Sequence, residues 1–330
     1  MAGPSKDTWK KTRGGAAAVM KTMTARQMEA FNLFSGGLAG TVASTITNPL
    51  EVIKTQLQSS NVADGGLFGT RSPVGLAKKI MEKDGFAGFF RGLPPTLVGI
   101  IPSRSAYFYS YQRCKVAMGR YAEEGSVPNA LVSGLVAGIV GNTLTNPIWM
   151  VRTRMQIMAD QSAGQVVYAG YRDAISTIFR EEGIGGFYKG ITASYWGCTE
   201  GAMQFILYEQ FKSRLIKQKN KQRAAEGLPP TDQLSKATYF VSAAAAKMAA
   251  AIVTYPHEVA RTRLREQSRG GMFKYSGMWQ TLGLIAKEEG RQGLYAGMGV
   301  HLMKVVPNSA LMFLTYEVVR GWLGEFTIVE

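Results

Sequence analysis

Cysteine and histidine are nearly absent from this chain. Its 330 residues hold two of each: Cys114, Cys198, His257 and His301. Two thiols so far apart exclude a disulfide framework and a zinc motif, and two histidines give no metal-ligand cluster. No G-x-x-x-x-G-K-[ST] run is present to cradle phosphate, and no Ser-His-Asp or Cys-His set stands out. The sequence thus points to no catalytic chemistry, no metal and no cofactor. Acidic residues are also scarce, 23 against 38 Lys+Arg, a formal charge of +15. That imbalance selects an anionic partner: nucleic acid, anionic lipid or a charged solute.

Charge is missing altogether from residues 30–50 and 125–151. Each stretch is long enough to cross a bilayer, which takes about 20 apolar residues. Four further stretches are broken by one charge apiece: Arg104, Glu200, Lys247 and Lys304. A charge at mid-membrane depth costs about 2.5–3.5 kcal/mol on insertion scales, so it faces a polar cavity and serves function. Three of these four are basic, and the cavity they line favours an anion.

What is present is a repeat. Pro49-Leu50-Glu51-Val52-Ile53-Lys54-Thr55-Gln56-Leu57-Gln58 returns as Pro147-Ile148-Trp149-Met150-Val151-Arg152-Thr153-Arg154-Met155-Gln156 and as Pro256-His257-Glu258-Val259-Ala260-Arg261-Thr262-Arg263-Leu264-Arg265. Internal periodicity decides architecture before other signals. Pro49, Pro147 and Pro256 each remove a backbone hydrogen bond and bend an apolar helix. The acid two positions on and the base five positions on share one helix face. Three such bends about a pseudo-threefold axis bring acids and bases to one constriction, a gate made of ion pairs.

The pattern Pro-x-Asp/Glu-x-x-Lys/Arg, three times at roughly hundred-residue spacing, resembles the mitochondrial carrier family over about residues 30–325. The resemblance implies an all-α membrane protein. Six transmembrane helices form three repeats, each two spans plus a short matrix helix, around a central cavity. The expected division is a basic, disordered extension at 1–26 and repeats at 27–120, 121–218 and 219–330. The first, third and fifth spans are expected near 28–58, 129–159 and 235–266. Gly36-x-x-x-Gly40 and Gly134-x-x-x-Gly138 let helix backbones approach closely in lipid. Short amphipathic helices are expected to end at Asp84-Gly85, Glu182-Gly183 and Glu289-Gly290, where glycine suits a positive φ.

Residue by residue, the resemblance makes Glu51, Lys54, Trp149, Arg152, Glu258 and Arg261 the matrix gate. Glu51 is expected to pair with Arg152 and Glu258 with Lys54, while Arg261 faces Trp149, which stands where an acid belongs. Gln58 and Gln156 match bracing residues beneath the pairs, and Arg265 departs from that pattern. A second threefold motif, Tyr111-Gln112-x-x-Lys115, Tyr208-Glu209-x-x-Lys212 and Tyr316-Glu317-x-x-Arg320, reads as the cytoplasmic gate. The substrate contacts carried over are Gly99, Trp196, Gly197 and Lys304, with Arg104 and Lys247 extending the basic site. Lys304 would take phosphate, Trp196 would stack a base, and the glycines would leave room for ring and ribose.

Pro147-Ile148-Trp149, Tyr255-Pro256-His257-Glu258-Val259, Ala193-Ser194-Tyr195 and Val306-Pro307-Asn308 are similar to the branch of pyrimidine nucleotide carriers. The expected function is alternating-access transport of such nucleotides across the mitochondrial inner membrane. The alternative within the branch is a carrier of FAD, folate or NAD. A soluble basic nucleic-acid-binding protein is the alternative of another class, and the charge-free spans argue against it. The resemblance further implies a monomer in the bilayer that binds no nucleic acid, with cardiolipin at the matrix-side helices and both termini toward the intermembrane space.

Overall fold

The computed structural model describes residues 21–23, 25–63, 72–123, 126–157, 159, 161, 164–268, 273–323 and 326–328. Of the basic extension expected at 1–26, residues 1–20 and 24 lie outside the described residues. Of the remainder, β1 (Lys21–Met23) is a strand and α1 (Ala25–Gln58) has already begun at Ala25. The sequence reading missed the strand because its partner is at the far end of the chain: β1 pairs in parallel with β2 (Phe326–Ile328).

Helix follows helix in a threefold order. After α1 come the single turn α2 (Ser60–Ala63), the short α3 (Pro73–Asp84) and the long α4 (Leu93–Met118). The second unit runs α5 (Val127–Gln156), α6 (Tyr171–Gly186) and α7 (Ile191–Ala225). The third has α8 (Lys236–Thr254), α9 (Pro256–Leu264), α10 (Met278–Glu288), α11 (Gly290–Leu294) and α12 (Met298–Leu323). Helix continues through Pro49 and Pro147 in α1 and α5. The expected fifth span is divided at Tyr255, so that Pro256 opens α9. Proline is tolerated at that first-turn position because its missing N–H has no partner to lose.

The long helices close into a ring. Helix α4 lies along α5, α7 along α8, and α12 returns along α1. The first and last helices are therefore neighbours, which places β1 beside β2. The short helices buttress the motif-bearing helices from outside. Leu76 and Ile80, one turn apart on α3, are fully buried with Val52, Ile53 and Leu57 of α1. Ala174 and Ile178 of α6 do the same against Val151, and Met278 and Ile285 of α10 against Val259 and Leu264. Each fully buried Leu or Ile contributes about 1.5–3 kcal/mol. Gly183 takes φ 66° inside α6, where it turns the chain back towards α7.

The residue before each motif proline fastens the same joint three times. Asn48 Nδ2 donates to Phe89 O at 2.7 Å, Asn146 Nδ2 to Phe187 O at 2.6 Å, and Tyr255 Oη to Ala296 O at 3.0 Å. These carbonyls sit where a short helix hands over to the next long one, with no helical partner of their own.

Candidate functional site

The motif prolines bring the ends of α1, α5 and α9 together, and the acids and bases meet between them. Lys54 forms an ion pair with Glu258. Arg152 Nη2 lies 3.1 Å from Glu51 Oε1. Both pairs join different repeats, in the pairing that the family resemblance implies. Glu51 carries a second cation, since Lys304 of α12 is paired with its other oxygen. The basic group expected to hold substrate thus rests on a gate carboxylate.

The third place differs from the expectation. Arg261 lines one cavity with Trp149, and its Nη2 lies 2.9 Å from Glu258 Oε1, three residues back on its own helix. A carboxylate at that spacing outcompetes an aromatic face for a guanidinium. The Trp149 ring instead lies beneath Arg152, 5.3 Å from Cζ to the ring centroid. Its Nε1 donates to Thr145 Oγ1 at 3.1 Å.

Beneath the pairs, Gln58 accepts from Thr262 Oγ1 at 2.8 Å and donates to Tyr255 Oη at 2.9 Å, tying the first repeat to the third. Gln156 accepts from Thr55 Oγ1 at 3.1 Å, tying the second to the first. At the corresponding position Arg265 reaches from the third repeat into the second. It donates to Asn146 Oδ1 at 2.7 Å, Ser194 Oγ at 3.2 Å and Thr153 Oγ1 at 3.3 Å. Arg265 is buried, and among the described residues it has no carboxylate partner. Among the proline-motif residues described, no ion pair joins the second repeat to the third, and this guanidinium spans that place.

A third layer closes the ring. Gln56 Nε2 donates to Gln156 O at 2.7 Å and Arg263 Nε to Gln58 O at 2.6 Å, while Arg154 Nε donates to Arg265 O. Each bond satisfies a carbonyl that a helix C-terminus leaves open. Arg154 also pairs with Glu182 at 2.6 Å and Arg263 with Glu289 at 2.8 Å. Gln56 has no charge to offer, so Asp84 takes Arg91 instead, at 2.6 Å. Burial raises the pKa of Glu182, but Arg154 and Lys189 outweigh it and hold the carboxyl below its ordinary value.

Above the gate lies a cavity of about 450 Å³. Arg104 and Lys304 both line it, with Trp149 and Arg152 as its floor. Gly99, Trp196, Gly197 and Lys247 do not line this cavity, and Gly197 lines a neighbouring one. A Cβ at Gly99 would come within 3.0 Å of Ile148 and 3.3 Å of Trp149, so this glycine serves the approach of α4 to α5. A Cβ at Gly197 would meet His257 Nε2 at 2.8 Å, the same device between α7 and α9. Lys247 is paired with Glu200 at 2.6 Å, linking α8 to α7. The expected stacking position of Trp196 is not in the cavity: its ring packs edge-on against Trp279 of α10, 5.3 Å between centroids. A few tens of degrees of helix rotation decide which face such a residue takes, and spacing along one strand of sequence does not report it.

The opposite end of the ring is different. Lys212 lies 3.6 Å from Glu209 on its own helix, and Tyr111 stacks on Tyr107 at 6.2 Å. Among the described residues no ion pair joins Gln112, Lys115, Tyr208, Glu209 or Lys212 to another repeat. The side chains of Tyr316, Glu317 and Arg320 lie outside those described. The chain is therefore closed at the proline motifs, with its cavity open away from them. Sequence reasoning missed the double pairing of Glu51 and the partners of Arg265. The signal available was that polar Asn146 and Ser194 lie within long membrane-spanning helices.

Comparison with known proteins agrees with this geometry. The family described as mitochondrial carrier protein matches residues 28–122, 123–219 and 232–327. Solute carrier family 25 member 36 of Gallus gallus is 40% identical over 309 residues, covering 87% of this chain and 96% of that protein. The mitochondrial pyrimidine nucleotide transporter RIM2 of Saccharomyces cerevisiae is 37% identical over 319 residues, covering 86% and 84%. Solute carrier family 25 member 33 of Homo sapiens is 38% identical over 318 residues, covering 90% and 96%. With three consecutive family matches over a ring of six long helices, the chain is a multi-pass protein of the mitochondrial inner membrane and belongs to the mitochondrial carrier family.

Proposed function

We propose that this carrier moves pyrimidine nucleotides across the inner membrane by alternating access. The observation that carries the reading is the pair Arg104 and Lys304, two cations facing one cavity directly above a closed gate. Its relatives include one named for this substrate class. In this arrangement the gate of Glu51, Lys54, Arg152 and Glu258 faces the matrix, and both termini face the intermembrane space. The units 27–120, 121–218 and 219–330, a monomeric state, and cardiolipin on α3, α6 and α10 belong to the same reading, carried by family membership.

The gate supplies a mechanism for coupling. Lys304 rests on Glu51. A phosphate entering the cavity competes with that carboxylate for Lys304. Charge-assisted hydrogen bonds contribute about 1.5–3 kcal/mol each, so the exchange of partners is close to balanced. Once Lys304 turns to phosphate, Glu51 is held by Arg152 alone, and opening towards the matrix becomes less costly. Binding thus lowers the barrier that an empty carrier meets.

The test is uptake by reconstituted liposomes loaded with a nucleotide panel. Uridine, thymidine or cytidine nucleotides should be exchanged in preference to purine nucleotides. Uptake of FAD, folate or NAD with none of pyrimidine nucleotides would overturn the assignment.

A further inference from the structure

The basic cavity opens beside a second one of about 600 Å³, walled by α4, α5 and α7. Tyr107 and Phe108 line both. The two chambers have opposite chemistry. The first presents Arg104, Arg152 and Lys304, whereas no residue lining the second is charged. The second has aromatic walls, Tyr107, Phe108 and Tyr111 on one side and Phe205 on the other, with glycines between them. Tyr107, Phe108 and Phe205 are 38%, 48% and 36% exposed, although one face of Tyr107 is stacked on Tyr111.

We infer that this second cavity is the subsite for the nucleobase, occupied while the phosphates lie on Arg104 and Lys304. The inference rests on the transport reading above and adds the place where the base is held. Spacing along α4 supports it. Arg104, Tyr107, Phe108 and Tyr111 follow at helical intervals on one face, and seven residues of helix span about 10 Å. A nucleotide is bipolar over a comparable distance, with an aromatic ring at one end and anionic oxygens at the other. Stacking on aromatic side chains accepts any base with a π-face, and Gly201 leaves open space beside the rings. Gly134 has Tyr107 Oη 3.7 Å from where a Cβ would stand, and Gly201 has nothing within 4 Å. The position of Trp196 on Trp279 leaves the aromatic role to these residues.

The experiment fills and empties the chamber. Gly201→Val adds a side chain where a Cβ meets nothing within 4 Å, and Phe205→Ala removes the wall facing Tyr107. Each detergent-purified variant is compared with wild type for unliganded unfolding temperature, then for stabilisation by uridine triphosphate and by inorganic tripolyphosphate. The expected result is at least tenfold weaker nucleotide binding in a variant of unchanged unliganded stability, with tripolyphosphate binding as in wild type. Phe205→Ala decides the matter if the valine variant does not fold. Wild-type nucleotide affinity in the folded variants overturns the subsite. Equal loss for nucleotide and tripolyphosphate overturns it as well, because the defect is then not one of base recognition. A wild-type carrier that binds tripolyphosphate but gains nothing from any nucleoside would instead overturn the transport reading, and the subsite with it.

Discussion

Arg265 donates to Asn146 Oδ1 at 2.7 Å, and this contact joins the third repeat to the second where the gate has no ion pair. A buried guanidinium with neutral acceptors alone is an uncommon arrangement, since charge is costly to remove from water without a counter-charge. It is retained where the alternative is an open seam. Three neutral oxygens and the Trp149 carbonyl share the cation.

Arg265→Ala should accordingly open the seam between the second and third repeats. The loss of charge-assisted hydrogen bonds costs about 1.5–3 kcal/mol each, offset in part by relief of a buried charge. The expected outcome is a shift towards the matrix-open state. Single cysteines in the cavity, in a background lacking Cys114 and Cys198, should label less from the cytoplasmic side. Unchanged labelling would mean that Arg265 braces nothing.

Glu51 holds both Arg152 and Lys304. Glu51→Gln should therefore affect the gate more than Glu258→Gln, whose carboxylate holds Lys54 and Arg261 but anchors no residue of the basic cavity. Breaking a buried pair costs about 3–5 kcal/mol, less where cavity water reaches it. Trp149→Glu places a carboxylate beside Arg152 and Arg265, and should favour the matrix-closed state. In the same labelling assay Glu51→Gln lowers the cytoplasmic-side signal and Trp149→Glu raises it. The opposite order would refute the pairing scheme.

Lys304→Ala should reduce nucleotide exchange roughly tenfold to a hundredfold, the value of one charge-assisted contact to phosphate. The variant must be inserted and folded, checked by its unfolding temperature. Wild-type exchange rates would remove Lys304 from the substrate site.

Trp196→Ala should behave as a packing variant. The edge-on contact with Trp279 contributes about 0.5–1.5 kcal/mol beyond its buried area, and that stability should be lost. Nucleotide affinity should be unchanged. An affinity loss with unchanged unfolding temperature would return Trp196 to the cavity.

Acid should loosen the second repeat at Glu182. Its carboxyl titrates below the ordinary range in the folded chain, so its contribution is present above the unfolded carboxylate pKa of about 4.3 and is lost as pH falls through the folded value. Glu182→Gln should lower the unfolding temperature at neutral pH and flatten its decline on acidification. Parallel pH profiles for variant and wild type would contradict this.

Much of the architecture is legible in the residues themselves. Charge-free runs specify helices that avoid water, and three Pro-x-acid-x-x-base segments specify where those helices converge. These signals are local and repeated, so that acids and bases converge follows from spacing and symmetry, while the pairs Glu51–Arg152 and Glu258–Lys54 are those the family resemblance implies. The departures from symmetry do not. That Arg261 turns to Glu258, that Lys304 rests on Glu51 and that Arg265 bridges to Asn146 depend on distances between residues remote in the chain. The face on which Trp196 emerges depends on how far α7 is rotated in the ring. Sequence determined which groups reach the constriction, because helical period carries that information. Tertiary structure decided which of them meet, because several cations compete for two carboxylates and only their final positions choose between them.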